Sequence, residues 1–369
     1  FLEFKYDDIS NLKKCNKCIL PETYPFIAFD KNGICNYCKM FRRQKVLGIS
    51  HLEKLIYENN ASKPKILFGL SGGRDSCFAL HKIKNQMNID IIAYTYDWGL
   101  TTDKARINQS KLCSALNIEH IIRAADIDFK RKCIKNNIIA WLKKPHLGMV
   151  PIFFVGDKLF YYYGNKLLNE LDLNILVDGA GNQLEQMEFK IGFCGINQPL
   201  KDNPQLMRLP LSTKMLLTFW YSFQFLKNPS YINSSLIDSS LGFVSSFFQK
   251  YPALDFYDFY KWNENEINNT LNDEYGFSVD TSYGKNQWRM GDGQTAFTNY
   301  IWYTIAGFSE FDNFRSNQIR EGEITREEGL ELAMNDNQPK VGSLEHFFNL
   351  IDLKFEDTIK KINSIKKLY

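Results

Sequence analysis

The stretch from Lys65 to Ile83 constrains the fold more than any other part of this 369-residue chain. Residues 66–70, Ile-Leu-Phe-Gly-Leu, are an apolar run bounded by Pro64 and by Ser71-Gly72-Gly73, and predict a buried parallel strand. Cys77 to Ile83 reads as a helix. The intervening Ser71-Gly72-Gly73-Arg74-Asp75-Ser76 is then a strand-to-helix turn. Its glycines let the backbone approach an anion, and the first amides of the helix, with the positive end of its dipole, favour phosphate. Ser71 and Ser76 add hydroxyl donors, Arg74 adds a charge, and Asp75 offers hard oxygens to magnesium. Gly69 belongs to the same candidate nucleotide-binding set. A glycine turn with capping serines is the plain alternative. The order is neither Gly-x4-Gly-Lys-Ser/Thr nor Gly-x-Gly-x-x-Gly, so neither a Walker loop nor a nicotinamide cofactor is implied.

Further strands are expected at Ile89–Asp97, Glu119–Ala124 and Asn174–Asp178, with a helix at about Thr102–Leu116. In a doubly wound sheet the carboxyl ends of strands line the ligand crevice. This makes Asp97 and the Tyr94–Tyr96 backbone candidates for the adenosine end of a nucleotide. It also makes Asp178, Asn182 and Glu185, in the turn after the fourth strand, candidates for magnesium or substrate. Helix capping is the other reading of Asp178 and Asn182.

Four of the eight cysteines form two Cys-x-x-Cys pairs, Cys15/Cys18 and Cys35/Cys38, separated by 16 residues. Asp30-Lys31-Asn32-Gly33 supplies a hairpin turn between them. Four soft sulfur ligands suit tetrahedral zinc, and a saturated ion has no open position, so the expected site is structural. Disulfides, a redox dithiol and an iron–sulfur cluster are the alternatives. Cys77, Cys113, Cys133 and Cys194 are scattered; buried inert thiols are the ordinary state of the first two. Cys194, in Gly192-Phe193-Cys194-Gly195, faintly resembles a glutaminase nucleophile turn, but no helical run follows it and Pro199 is near.

The length suggests about two domains. Residues 1–60 hold the cysteine pairs and a connecting helix, Leu52–Glu58; 61–215 form the nucleotide domain; 216–369 are mainly helical and complete a substrate site. Thr325 and Glu328 predict a capping box, and Lys354–Lys367 an amphipathic terminal helix. With 44% hydrophobic and 24% charged residues the chain is not disordered. Its net charge of +3 is a poor match for a dedicated nucleic-acid binder. The abundant aromatic residues read as packing. The longest apolar candidate, Met215–Leu226, is too short to span a bilayer and is interrupted by Thr218, Ser222 and Gln224. No leader segment is visible at Phe1–Lys5, so a cytoplasmic location is expected.

The order Ser-Gly-Gly-x-Asp-Ser resembles the PP-loop of the ATP pyrophosphatase superfamily, which cleaves ATP between its α and β phosphates and adenylates a carbonyl-type oxygen. The chain as a whole resembles the N-acetyl sugar amidotransferases of bacterial surface-polysaccharide and sialic-acid-like sugar biosynthesis. The resemblance runs through Cys15-Asn16-Lys17-Cys18-Ile19-Leu20-Pro21, Phe29-Asp30 to Cys38, Ser71–Ser76, Gly99–Thr102 with Asn108, Trp288–Asp292 and Ile319–Glu328. Asp178-Gly179-Ala180-Gly181-Asn182 departs from the Gly-Glu-Asn common in relatives.

The resemblance implies an α/β, doubly wound parallel sheet of the PP-loop (HUP-like) type with a zinc ribbon-like N-terminal module. It also implies a reaction. The acetamido oxygen of a sugar attacks the α-phosphate of ATP, pyrophosphate leaves onto Ser71–Ser76, and ammonia displaces AMP to leave an acetamidino group. Ser71, Arg74, Asp75, Ser76, Asp178 and Glu185 are the expected catalytic set. Asp75 and Asp178 are the expected magnesium ligands. Arg289 and Arg326 are secondary candidates for phosphate or a sugar carboxylate, with surface ion pairing as the alternative. The resemblance further implies a separate glutaminase and a cyclase-like ammonia-channel subunit, and no nucleic-acid partner. A tRNA thiolase, with Cys133 and Cys194 as the only cysteine pair to nominate, and a non-enzymatic zinc-ribbon interaction protein are the competing readings.

Overall fold

The computed structural model describes the chain except residues 1–5, 44, 60–63, 180, 183, 186–187, 198–208, 248–250, 252 and 280–292. Arg289 and the Trp288–Asp292 motif therefore lie outside the described residues. Five strands, β1 (Lys65–Gly69), β2 (Asp90–Asp97), β3 (Glu119–Ala124), β4 (Leu176–Asp178) and β5 (Ala253–Asp255), form one parallel sheet in the order β3-β2-β1-β4-β5. The chain builds outward from β1 to β3, then returns to the other side of β1 for β4 and β5. The strand order thus reverses between β1 and β4, and the crevice outside the carboxyl ends of these two strands is the switch point of an open α/β sheet.

Strand β1 is apolar because both faces of the sheet are covered. Ile66, Phe68 and Leu70 pack with Phe78, Ile83, Ile175 and Val177 on one side. Leu67 packs with Ile92, Tyr94, Leu159 and Leu168 on the other. This alternation with no solvent face is what a central parallel strand requires. Helices Arg74–Gln86 and Asp103–Leu116 follow β1 and β2. Thr102 caps the second by accepting from the Ala105 N–H, and Asn117 ends it in the left-handed region.

The expected elements recur with shifted bounds: the connecting helix is Ile49–Glu58 and the terminal helix Phe355–Ser364. Thr325 and Glu328 form the capping box of the helix Arg326–Asp336. Strand β5 goes beyond the expectation and comes from the C-terminal part of the chain. It has three residues, too few to show a period. A 3-10 stretch, Leu147–Lys158, carries Pro151 and packs on the helix Ile127–Lys143. The largest apolar cluster joins the cysteine segment, through Cys15, Leu20 and Tyr24, to Trp141 and Phe153 and to Phe297, Trp302, Phe348 and Ile362. Among the described residues no helix is long and apolar enough to cross a membrane.

Candidate active site and cysteine centre

Register places Gly69, the last residue of β1, opposite Tyr94 of β2 and Asp178 of β4. The loop that follows is held by its own hydroxyls. The Ser71 N–H donates to Ser76 Oγ (3.2 Å), the two Oγ atoms lie 2.8 Å apart, and Ser71 Oγ accepts from the Gly73 N–H at 3.3 Å. Ser76 Oγ also donates to the Gly73 carbonyl (3.1 Å). Gly72 has φ +81°, and a Cβ there would sit 2.4 Å from the Ala105 carbonyl oxygen, so only glycine fits. The N-cap of the Arg74–Gln86 helix is Gly73, so no side chain caps its first amides. Such an uncapped start at the end of a buried strand suits an anion.

Asp75 is the junction of the site. Its Oδ1 accepts from Trp262 Nε1 (3.1 Å) and its Oδ2 from Asn182 Nδ2 (3.0 Å). Its backbone carbonyl accepts from the Tyr257 hydroxyl at 2.9 Å. Burial, and then the nearby Asp75 charge, raise the Tyr257 pKa, so the phenol keeps the proton it donates. Asn182 is buried, and its Oδ1 accepts from the Leu184 N–H (2.9 Å), which fixes the turn after β4 against the phosphate loop. Gly179 lets these segments meet: a Cβ there would lie 2.8 Å from Ser76 Cα.

Asp178 is buried at the end of β4 and accepts from the Tyr161 hydroxyl (3.2 Å). Its strand partner across β5 is another buried carboxylate, Asp255. Glu185 follows in the same turn, its N–H donating to the Asn182 carbonyl (3.1 Å). The structure thus brings Ser71, Asp75, Ser76, Asn182 and Gly69 together at the switch point, with Asp178 beside Gly69 in register.

Four candidates are engaged by partners within the chain. Arg74 turns inward, against the expectation that it adds its charge to the phosphate loop. Its side chain is 2% exposed, its Nη1 donates to Glu264 (2.9 Å), and its guanidinium lies 5.1 Å from the Trp262 ring centre. Its Nε also lies 3.4 Å from Asp75 Oδ1, so its charge is held between two carboxylates. Burial alone would raise the pKa of Glu264, but Arg74 and Arg315 outweigh it and hold the carboxyl below its usual range. Asp97 closes its own turn, accepting from the Gly99 N–H (3.0 Å) and from Arg106 (2.8 Å). Tyr96 is buried with its ring tilted against Tyr163. At this end of β2 both side chains are committed to local packing. Arg326 donates through Nε to the Cys15 and Cys18 carbonyls (3.2 and 3.1 Å).

Cys15, Cys18, Cys35 and Cys38 are all buried, and their sulfurs lie within 4.8 Å of one another, a cluster able to bind a metal. The Cys18–Cys35 and Cys15–Cys38 sulfurs lie 3.8 and 3.9 Å apart, far beyond a disulfide bond, and all four thiols are free. Among the described residues no other group of three or more His, Cys, Asp or Glu ligands is gathered closely enough for an ion. Arg320 donates to Cys18 and Cys38 sulfurs at 3.4 and 3.5 Å.

The remaining cysteines are poor nucleophiles. Burial pushes the Cys194 thiol up to about 12 and that of Cys133 upward, and likewise raises those of Cys77 and Cys113. Cys194 contacts the Gly148 and Lys190 carbonyls, whereas Cys133 lines a small polar cavity with Lys130 and Asp238. Cys133→Ser and Cys194→Ser are therefore each expected to keep ATP turnover near the wild-type rate at a stability cost of about 1 kcal/mol. Loss of turnover in both variants would return a cysteine pair to the mechanism.

Trp262, Tyr257 and Glu264 belong to the site without any motif to announce them, and Asn108 joins them, donating to the Gly72 carbonyl (3.5 Å). Asn108 clamps Ser278, donating to its carbonyl (2.9 Å) and accepting from its N–H (2.8 Å). Only the Asn108 position could have been found, through the resemblance.

No family model matches the sequence, and no curated protein matches it. Among solved structures, the U34-tRNA thiolase NcsA from Methanococcus maripaludis with its 4Fe–4S cluster is 15% identical, with 96% of this chain and 97% of that chain covered. The TM-score is 0.31, and at that score the likeness carries no argument for fold or function.

Proposed function

We propose that the chain is an ATP-dependent enzyme of the PP-loop type, cleaving ATP to AMP and pyrophosphate, and that its acceptor is the acetamido group of a sugar. The observation that carries the ATP reading is the Asp75 carboxylate, held between the glycine turn after β1 and the Asn182 turn after β4 at the switch point of the sheet. In this reading the Ser71–Ser76 loop takes the departing pyrophosphate. Asp75 and Asp178 are the residues that would hold magnesium, which neutralises charge on the phosphates when bound. The amide oxygen of the acceptor forms a bond to the α-phosphorus as the bond to the β-phosphate bridging oxygen breaks. Ammonia then adds to the imidate carbon and AMP leaves, giving the acetamidine. The chain's own contribution is to align these groups and hold the loop amides toward developing negative charge.

The sugar acceptor, the glutaminase and the cyclase-like ammonia channel rest on the resemblance described above. A cytoplasmic location belongs to the same reading. The cysteine centre fits zinc: with bonds of about 2.3 Å, a tetrahedral ion sets its sulfurs about 3.8 Å apart, close to the spacings observed. A 4Fe–4S cubane takes one thiolate on each of four irons and needs them further apart. Four thiolates leave no open position, so the metal would be structural. The raised thiol pKa values of Cys133 and Cys194 weigh against tRNA thiolation.

The test is product analysis with ATP, magnesium, ammonium and an N-acetylated nucleotide sugar. AMP, pyrophosphate and an amidine-bearing sugar are expected. ADP with phosphate would overturn the α,β-cleavage assignment. AMP formation that never depends on any acetamido sugar would overturn the acceptor.

A further inference from the structure

The helix Glu310–Glu321 is polar along most of its length, yet Asp312, Asn313, Arg315, Ser316, Asn317 and Gln318 are all buried. Buried polar groups persist where they are hydrogen-bonded. Here the partners lie in two places. Toward the cysteine segment, Asn313 Oδ1 accepts from the Tyr24 hydroxyl (2.9 Å), Ser316 Oγ accepts from the Ile19 N–H (3.3 Å), and Arg320 reaches the Cys18 and Cys38 sulfurs. Toward the phosphate loop, Asn317 Nδ2 donates to the Leu184 carbonyl at 2.8 Å. The Leu184 N–H donates to Asn182 Oδ1, and Asn182 Nδ2 donates to Asp75 Oδ2. Arg320 closes the chain by donating through Nη1 to Asn317 Oδ1 at 2.6 Å.

A path of hydrogen bonds, joined covalently through the backbone of Leu184, therefore runs from Cys18 Sγ through Arg320, Asn317 and Asn182 to the Asp75 carboxylate. A second path leaves the same helix. Phe314 packs edge-on against Trp262, whose indole N–H holds the other Asp75 oxygen. Arg315 and Gln318 grip Glu264, which grips Arg74. Both carboxylate oxygens of Asp75 are thus set by residues resting on one helix, and that helix ends on the cysteine sulfurs.

We propose that Asn317 and Arg320 are positioning residues that make the orientation of Asp75 depend on metal occupancy of the four-cysteine centre. Arg320 donates to two of the cysteine sulfurs, Cys18 and Cys38, that the ion would hold in place. Without the ion those two sulfurs lose their fixed positions, and a buried guanidinium keeps its place only while its hydrogen bonds are met. Any shift of Arg320 is passed to Asn317, whose Oδ1 accepts from it. The metal is then more than a local staple: its presence completes the phosphate loop. This rests on the ATP-binding reading of that loop.

The experiment is hydrogen–deuterium exchange on the full chain without nucleotide, comparing metal-loaded, chelated and Asn317→Asp protein, with metal content measured for each. Asn317→Asp keeps an acceptor for Arg320 and removes the donor to Leu184. The expected result is exchange at least about tenfold faster in residues 70–77 and 181–185 on chelation, and the same acceleration in Asn317→Asp with its metal retained. Phosphate-loop exchange unchanged in Asn317→Asp overturns the proposal, whether or not chelation unfolds the whole chain. If Asn317→Asp fails to fold, Asn317→Ser is read by the same criterion. A companion measurement follows AMP formation: a kcat reduced about tenfold in Asn317→Asp is expected, and an unchanged kcat overturns the coupling. Wild-type protein forming no AMP would sink the ATP reading alone, because the exchange result does not depend on turnover.

Discussion

Asp75→Asn is expected to cut AMP and pyrophosphate formation by a factor on the order of 10²–10³, while the chain still folds. The present carboxylate accepts from two donors, Trp262 Nε1 and Asn182 Nδ2, and pairs with Arg74, whose Nε lies 3.4 Å from Oδ1. An amide offers one oxygen and one NH₂, so one of these donors must face another donor. The mismatch costs about 1–3 kcal/mol, and it loosens the contact between the loop after β1 and the turn after β4. Loss of the negative charge also removes a hard ligand for magnesium. Product assays at saturating ATP, with circular dichroism as the control on folding, decide the matter. A variant with wild-type turnover would take Asp75 out of the site.

Cys15→Ser is expected to lower bound metal from about one ion per chain to near none and to destabilise the protein by several kcal/mol. The effect should spread well beyond the cysteine pairs. Cys15 Sγ accepts from the N–H groups of Cys18 and Cys35, and the Cys15 carbonyl accepts from Arg326. The cysteines share a core with Trp302, Phe308 and Ile359. Elemental analysis gives the metal content and thermal unfolding gives the stability. Protein that contains no metal as purified, and is as stable as Cys15→Ser, would remove the metal assignment.

What the sequence discloses follows contact distance along the chain. The strand, glycine turn and helix from Lys65 to Gln86 are legible because turn chemistry and the apolar run are local. So is the cap at Thr325, where the two partners are three residues apart. The cysteine cluster is legible because the metal-ligand spacing is itself a pattern. Arg74 shows where local reading fails. Its position in the loop suggests phosphate, but Glu264, 190 residues away, captures it. Trp262 and Asn317 are invisible for the same reason: no period or spacing links them to Asp75. The side chain of Asp97 reads as a ligand of adenosine, since the rule that strand ends line the crevice does not say whether a given carboxylate is already committed to Arg106. Three-residue β5 escapes notice because its pairing with β4 outweighs its lack of sequence pattern.

The sharing of one core between Cys15–Cys38 and the residues up to Ile362 has a consequence for biosynthesis. A nascent chain exposes its cysteine pairs well before Arg320, Arg326 and the aromatic side chains that enclose them leave the ribosome. Until then the thiols are open to oxidants and to competing ions. The cysteine segment thus matures only after much later residues have been made, and a chain cut short before Arg320 would leave its cysteines unenclosed.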